Sequence, residues 1–321
     1  MKSLIIARLL VSIVLGIAFF LPSCKKQESH KCRFAIVANG SSRFWDLARS
    51  GMQQAAREEN VDWEFFMPGE SSAAQQKQIL ETVLAKGYDG MAISVINPQT
   101  MTRLIDEIAA AMPVICIDSD APQSKRLLYI GTGNVAAGRV AGEEIKKALP
   151  SGGQVAVFVG KLDIANARER YQGVQEALAG SNCRIVELFT DQTDRTIAQA
   201  NVRVALAKYP DLAGIIGLWC YNGPAAIAVL ADAPGHNVKV VGFDEESATL
   251  DAIRHGKMIC SIAQQPYDAG YQTIKILSRL ARGLKPTEGE DPNVFIPVQV
   301  MTKENVDALE TQVNGRLRAI N

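Results

Sequence analysis

From Arg33 onward, short apolar runs alternate with amphipathic stretches of about 15 residues, the pattern of βα units feeding a parallel sheet. The run Pro113-Val114-Ile115-Cys116-Ile117 has no polar alternation, so neither face of that strand meets water and helices must cover both. In the first half, strands are expected at Phe34 to Ala38, Trp63 to Met67, Gly90 to Val95, Pro113 to Ile117 and Leu127 to Ile130. Helices are expected between them at Phe44 to Glu59, Ser72 to Lys86 and Pro98 to Ala111. The first carries Trp45, Ala48, Met52, Ala55 and Ala56 on one face. Ser71 or Ser72 is placed to cap the second, and Gly87 stops it.

A helix ending near Leu149 follows Gly131-Thr132-Gly133-Asn134, and Pro150-Ser151-Gly152-Gly153 resets the chain. The same order then begins again. Strands are expected at Gln154 to Val159, Arg184 to Phe189, Gly214 to Trp219, Lys239 to Phe243 and Met258 to Ala263, with helices near 166–179, 195–208 and 223–232. A long helix from Tyr267 to Arg282, a polar loop from Leu284 to Asn293 and one last strand from Val294 to Met301 complete the pattern. The expected class is therefore α/β, with two doubly wound parallel-sheet lobes.

The first residues follow another rule. Lys2 and Arg8 precede an apolar stretch from Leu9 to Leu21, shorter than the roughly 20 residues of a spanning helix. Residues 1–23 read as a signal peptide. The ending Leu21-Pro22-Ser23-Cys24 resembles a bacterial lipoprotein box, which makes Cys24 the lipidated residue and 24–32 a tether; an ordinary signal peptide with a chance cysteine is the alternative.

Charge and cysteine content narrow the function. With 34 basic and 34 acidic residues and a pI near 6.8, the chain has no electrostatic footprint for nucleic acid. Six cysteines without a Cys-x-x-Cys pair indicate neither a disulfide framework nor a zinc site, and Cys116, Cys220 and Cys260 read as small buried hydrophobes. No metal and no cofactor is expected. The G-x-S-x-G, P-loop and H-E-x-x-H patterns are absent, and His30, His236 and His255 occupy tether, turn and helix-end positions. Gly131-x-Gly133-x-x-Ala136 fits the dinucleotide fingerprint in form, but the acidic residue that should follow about 20 positions on is missing, so it reads as a tight connection. An enzyme is not expected.

Two strands end in acid: Pro113 to Ile117 in Asp118-Ser119-Asp120, and Val238 to Phe243 in Asp244-Glu245-Glu246. Carboxyl edges of open α/β sheets are where ligands bind. The polar and aromatic residues beyond strand ends are Asn39, Phe44, Trp45, Asp118, Asp120, Arg168, Trp219, Asn222, Asp244 and Gln264. Such a set suits a sugar or polyol, because charged groups bond hydroxyls and aromatic faces cover the C–H side of a ring. Asp118 and Asp244 have an alternative role as helix caps, and Phe44 and Trp45 as core residues. In Ala167-Arg168-Glu169-Arg170 one arginine is expected to enter the cleft, and Arg168, whose charge opposes the helix dipole, is the choice.

At these residues the chain resembles the periplasmic sugar-binding proteins of the ribose type, partners of ABC importers. The stretches that carry the resemblance are Asn39 to Trp45, Pro113 to Asp120, Tyr129-Ile130-Gly131-Thr132-Gly133-Asn134, Ala167-Arg168-Glu169-Arg170-x-x-Gly173, Val241-Gly242-Phe243-Asp244 and Ile262-Ala263-Gln264-Gln265-Pro266. It implies a type I periplasmic binding fold whose lobes are joined by a three-crossing hinge, with the tail helix returned to the first lobe. The expected lobes are 33–132 plus 265–293, and 133–264 plus 294–321. It also implies a monomer that holds a sugar between the lobes, binds an ABC permease and is tethered by lipid outside the cytoplasmic membrane, in the periplasm or at the cell surface. By motif, Phe44 and Trp45 match the paired aromatics, Asp118 and Asp244 the two acids, Arg168 the arginine and Gln264 the hinge glutamine. Three departures touch the ligand shell and detach the expectation from ribose itself: Ser119 replaces an arginine, Thr193 an aromatic, and Trp219 an asparagine, with Asn222 displaced. A receptor subunit for a membrane sensor is the alternative function; a repressor of the lactose type would need a DNA-binding headpiece where the signal segment stands.

Overall fold

The computed structural model describes residues 31–69 and 72–318. The signal segment, Cys24, His30, the tether up to residue 30 and Ser71 lie outside the described residues. Among the described residues no helix is long and apolar enough to cross a membrane.

The chain builds one sheet and then a second of the same design. The first part runs β1 (Arg33–Val37), α1 (Arg43–Glu59), β2 (Asp62–Phe66), α2 (Ala73–Lys86), β3 (Gly90–Ile93), α3 (Pro98–Ala109), β4 (Val114–Ile117) and β5 (Tyr129–Thr132). The second runs α4 (Asn134–Ala148), β6 (Gly153–Val159), α5 (Ala165–Leu178), β7 (Cys183–Thr190), α6 (Arg195–Lys208), β8 (Leu212–Gly217), α7 (Asn222–Ala231), β9 (Lys239–Phe243), α8 (Ser247–Arg254) and β10 (Cys260–Ala263). Then α9 (Pro266–Ala281) packs on α1, β11 (Asn293–Ile296) joins the first sheet, β12 (Gln299–Met301) joins the second, and α10 (Val306–Arg318) ends the described chain. The strand orders, β11-β5-β4-β3-β1-β2 and β12-β10-β9-β8-β6-β7, are equivalent.

Burial on both faces explains the unbroken apolar strands. Phe34 and Ile36 of β1 belong to the core under α1 and α9, whereas Ala35 and Val37 belong to the core on the opposite face under α2 and α3. The second sheet is covered in the same way, by α4 and α5 on one face and α6, α7 and α8 on the other. The helix pair on one face of each sheet meets at glycines. A Cβ on Gly51 of α1 would stand 2.0 Å from the Tyr267 carbonyl oxygen, and one on Gly270 of α9 2.0 Å from that of Ala48. In α4 and α5, Gly138 and Gly173 play the same reciprocal part, at 1.9 and 2.0 Å from the carbonyl oxygens of Arg170 and Val135.

Two expectations are corrected. The run 294–301 is two strands: β11 pairs in parallel with β5, and β12 antiparallel with β10, so the chain changes sheets at Pro297-Val298 rather than between 293 and 294. Pro297, lacking an N–H, cannot continue a ladder. Ser72 precedes α2 without a capping bond from its side chain.

Three segments therefore pass between the lobes: Thr132-Gly133, Gln264-Gln265 and Pro297-Val298. The first two are tied directly, the Thr132 hydroxyl donating to Gln264 Oε1 at 2.9 Å. Outside them, α10 reaches both lobes. Arg254 of α8 bonds Asp307 at 2.7 Å and also Glu310, whereas Arg316 bonds Asp268 at 3.3 Å and lies 4.3 Å over the Tyr267 ring.

Candidate functional site

Asp118 and Asp244 follow β4 and β9 directly, and at each the backbone turns left-handed, with φ of 65° and 62°. Aspartate is among the few residues besides glycine that tolerate this conformation. Both keep the strand's last ladder bond, Asp118 N–H to Ile130 O at 3.0 Å and Asp244 N–H to Ile262 O at 3.1 Å. The twin corners turn both carboxyls into one cavity of about 340 Å³ between the lobes. Held in a sparsely populated conformation at equivalent points of two sheets, they mark a candidate functional site. The helix-capping alternative fails at Asp118, because β5 and not a helix follows it.

Side chains from neighbouring strand ends hold each carboxyl. Asp118 Oδ2 accepts from the Ser94 hydroxyl at 2.8 Å and from Asn39 Nδ2 at 3.0 Å, and Asn39 Oδ1 accepts in turn from Trp45 Nε1 at 3.0 Å. Asp244 Oδ1 accepts from Gln264 Nε2 at 2.8 Å. Since Gln264 also accepts from Thr132, the second acid is wired into the crossings.

Between the acids stands Arg170. It is 2% exposed, donates to Asn134 Oδ1 and to the Leu218 carbonyl, each at 2.9 Å, and lies 4.5 Å over the Phe243 ring. Burial pushes the Asp118 and Asp244 carboxyls above the usual aspartate range, and Arg170 pulls both back down. Glu245, behind Asp244, is pushed up to about 8 by burial and by the Asp244 charge.

The second lobe supplies an aromatic wall. A Cβ on Gly160 would stand 1.9 Å from the Trp219 ring, so only glycine lets the indole lie there. Trp219 Nε1 donates to Asn166 Oδ1 at 3.3 Å, and Tyr221 meets Trp219 edge-on at 6.4 Å. Arg195 at the rim is paired with Glu246 through two bonds of 3.1 and 2.6 Å.

Of the ten expected residues, Asn39, Phe44, Trp45, Asp118, Trp219, Asp244 and Gln264 line this cavity. Trp45 is at once core and wall. Three stand elsewhere. Arg168 is exposed and donates to the Leu162 carbonyl at 2.9 Å; the inward arginine is Arg170. On α5 the apolar face runs Ala167, Arg170, Gly173, Val174 and Ala177, so the 3.6-residue period turns Arg170 in and Arg168 out, a stronger signal than the dipole argument. Asp120 is closed by Arg126, which meets both its oxygens at 2.5 and 2.6 Å. Asn222 is buried behind Trp219, bonding Asp191 at 2.8 Å and accepting from the Trp219 N–H at 3.1 Å. Asn166, Arg170 and Tyr221 were not expected and line the cavity, as does Thr193. Cys220 also lines it, its thiol pushed well up by burial. Among the described residues Cys32, Cys116, Cys183, Cys220 and Cys260 are free, and no cluster of three or more His, Cys, Asp or Glu is placed to hold a metal ion.

Comparison with known proteins bears on this geometry. The family model described as a periplasmic binding protein domain matches residues 34–285. The D-ribose/D-allose-binding protein of Pseudomonas aeruginosa is 25% identical over 317 residues, spanning 94% of this chain and 99% of that one. Among solved structures, an ABC transporter solute-binding protein from Burkholderia graminis in complex with D-arabinose superposes with a TM-score of 0.81 at 29% identity, over 85% of this chain and 96% of that one. A glucose-galactose binding protein from Geobacillus stearothermophilus gives 0.81 at 25% identity, over 86% and 98%.

Proposed function

The chain belongs to the periplasmic binding protein domain family, and from that premise we propose that it captures a sugar or sugar-like polyol between its lobes and delivers it unchanged to an ABC importer. The observation that carries the reading is the pair of left-handed corners at Asp118 and Asp244, which aim two half-buried carboxyls at one cavity with Arg170 between them. Asn39, Asn166 and Gln264 add amides, and Phe44 and Trp219 face the cavity from opposite lobes. Hydrogen bonds to charged groups contribute about 1.5–3 kcal/mol each. Four or five of them, less the cost of immobilising ligand and lobes, reach the roughly 8 kcal/mol of a micromolar constant. The sugars named for the relatives above favour a monosaccharide unit, pentose or hexose, at this position.

Thermal-shift screening against pentoses, hexoses and polyols, followed by calorimetry, tests the reading. A ligand at 100 times its dissociation constant adds about 2.7 kcal/mol to stability. Stabilisation by no carbohydrate, alongside stabilisation by amino acids or peptides, overturns it. The anchor at Cys24 is tested separately: a fatty-acid label in the bacterial host is expected on the full chain and lost in Cys24→Ser.

A further inference from the structure

A second and larger cavity, about 700 Å³, opens between the lobes beside the first, and Asp118 and Asn166 line both. Its walls come from both lobes: Asp120, Arg126 and Phe295 on one side, the start of α4 from Asn134 to Val140 and Glu169 of α5 on the other. Phe295 is 56% exposed, yet its ring is seated edge-on against Tyr129 at 6.2 Å. A fixed aromatic face open to a cleft is what the C–H side of a sugar ring packs on.

The polar groups are disposed in the same spirit. Asn134 and Asn166 have their side-chain oxygens taken, by Arg170 Nε and by Trp219 Nε1, so each turns its amide N–H₂ outward as a donor, that of Asn134 with one bond already made to the Glu169 carboxyl. Glu169 is half-buried beside Asn134, and burial raises its carboxyl. Asp120, with both oxygens on Arg126, is a spent wall and leaves recognition to Glu169. An aromatic face, one carboxyl and two amides repeat the chemistry of the first cavity, and the shared Asn166 stands at the junction.

We infer that this second cavity is a subsite for the second ring of a disaccharide whose first ring lies between Asp118 and Asp244. The inference rests on the reading of the first cavity as a sugar site. Together the two volumes reach about the upper end of the 300–1,000 Å³ range of ligand pockets, more than one monosaccharide fills.

Calorimetry with common α- and β-linked hexose and pentose disaccharides, alongside their component monosaccharides, is the test. A disaccharide is expected to bind at least about tenfold more tightly than either component. Phe295→Ala and Glu169→Gln are each expected to weaken the disaccharide by at least about fivefold, with monosaccharide affinity held within about twofold. Tight monosaccharide binding with weak or absent disaccharide binding overturns the inference and leaves the reading of the first cavity standing, as does a disaccharide indifferent to both substitutions. Binding of no sugar of either size overturns both.

Discussion

At Arg170 two half-buried carboxyls and one buried cation share a small space, and on the proposed reading the balance among them governs sugar binding. Truncating the cation leaves Asp118 and Asp244 with their neutral hydrogen-bond donors but no opposing charge, which costs stability as well as affinity. The cleaner variant is Asp244→Asn, which keeps the shape and the Gln264 contact. It is expected to weaken the sugar by about 1.5–3 kcal/mol, roughly 10- to 150-fold, with thermal stability little changed. Arg168→Ala is expected to bind within about twofold of wild type, because its side chain is spent on the Leu162 carbonyl at the surface. Calorimetry on the two variants decides; equal losses would return Arg168 to the site. Glu245 gives a pH signature. Its folded carboxyl is pushed up to about 8, whereas an unfolded glutamate titrates near about 4.3, so across that window the folded chain holds a proton that the unfolded chain has lost. Stability therefore falls as pH rises through the window. Glu245→Gln is expected to flatten that slope in urea titrations between about pH 5 and 8, and an unchanged slope would relieve Glu245 of the part. The acids at strand tips were legible in the sequence because an apolar run that stops at a carboxylate can present it only at a sheet edge. Which way Asp120 and Arg168 pointed was not, since Arg126 and the packed face of α5 decided it.

Helix pairs were legible as helices but not as pairs. The apolar period of α1, α4, α5 and α9 marks each buried stripe, yet the backbone approach of α1 to α9 and α4 to α5 depends on glycines that matter only once the partner is in place. In α5, Gly173 comes one turn after Arg170, so the α4 contact also sets the height of the arginine in the cavity. Gly173→Ala would put a methyl carbon 2.0 Å from the Val135 carbonyl oxygen, and the helices must separate. Overpacking of this kind costs about 1–3 kcal/mol, which lowers the melting temperature by roughly 2–5 °C in a chain of this size. Arg170 moves with α5, so sugar affinity is expected to fall as well. Gly289→Ala, with nothing within 4 Å of the new methyl, is expected to change neither quantity. A Gly173→Ala protein that melts and binds like wild type would mean that the helices separate at no cost. The last two strands escaped the sequence for a related reason: β11 and β12 are half-exposed, carry no clean period, and read as one run until their partners separate them.

The repeated βα order was enough to show two lobes, and the acid at the tip of the fourth strand in each was enough to show that they face one another. It was not enough to show α10, a largely polar helix whose place is settled by charges on the elements it spans. One end is held by Arg254 on the second lobe and the other, through Arg316 of α10 itself, by Ser50 and Asp268 on the first, the Ser50 hydroxyl donating to the Arg316 carbonyl at 2.5 Å. A helix fastened at both ends outside the three crossings resists their bending, because any change in the angle between lobes must stretch or slide one set of contacts. Arg254→Ala with Arg316→Ala removes the ion pairs that fasten the two ends of α10. Their loss shifts the balance of open and closed forms towards the open one. The sugar-free double variant is therefore expected to show a larger radius of gyration than wild type by small-angle scattering. The sugar-bound forms should coincide, because the ligand bridging Asp118 and Asp244 restores closure. Superposable sugar-free curves would mean that the crossings alone set the lobe angle, and that α10 only covers the surface beneath it.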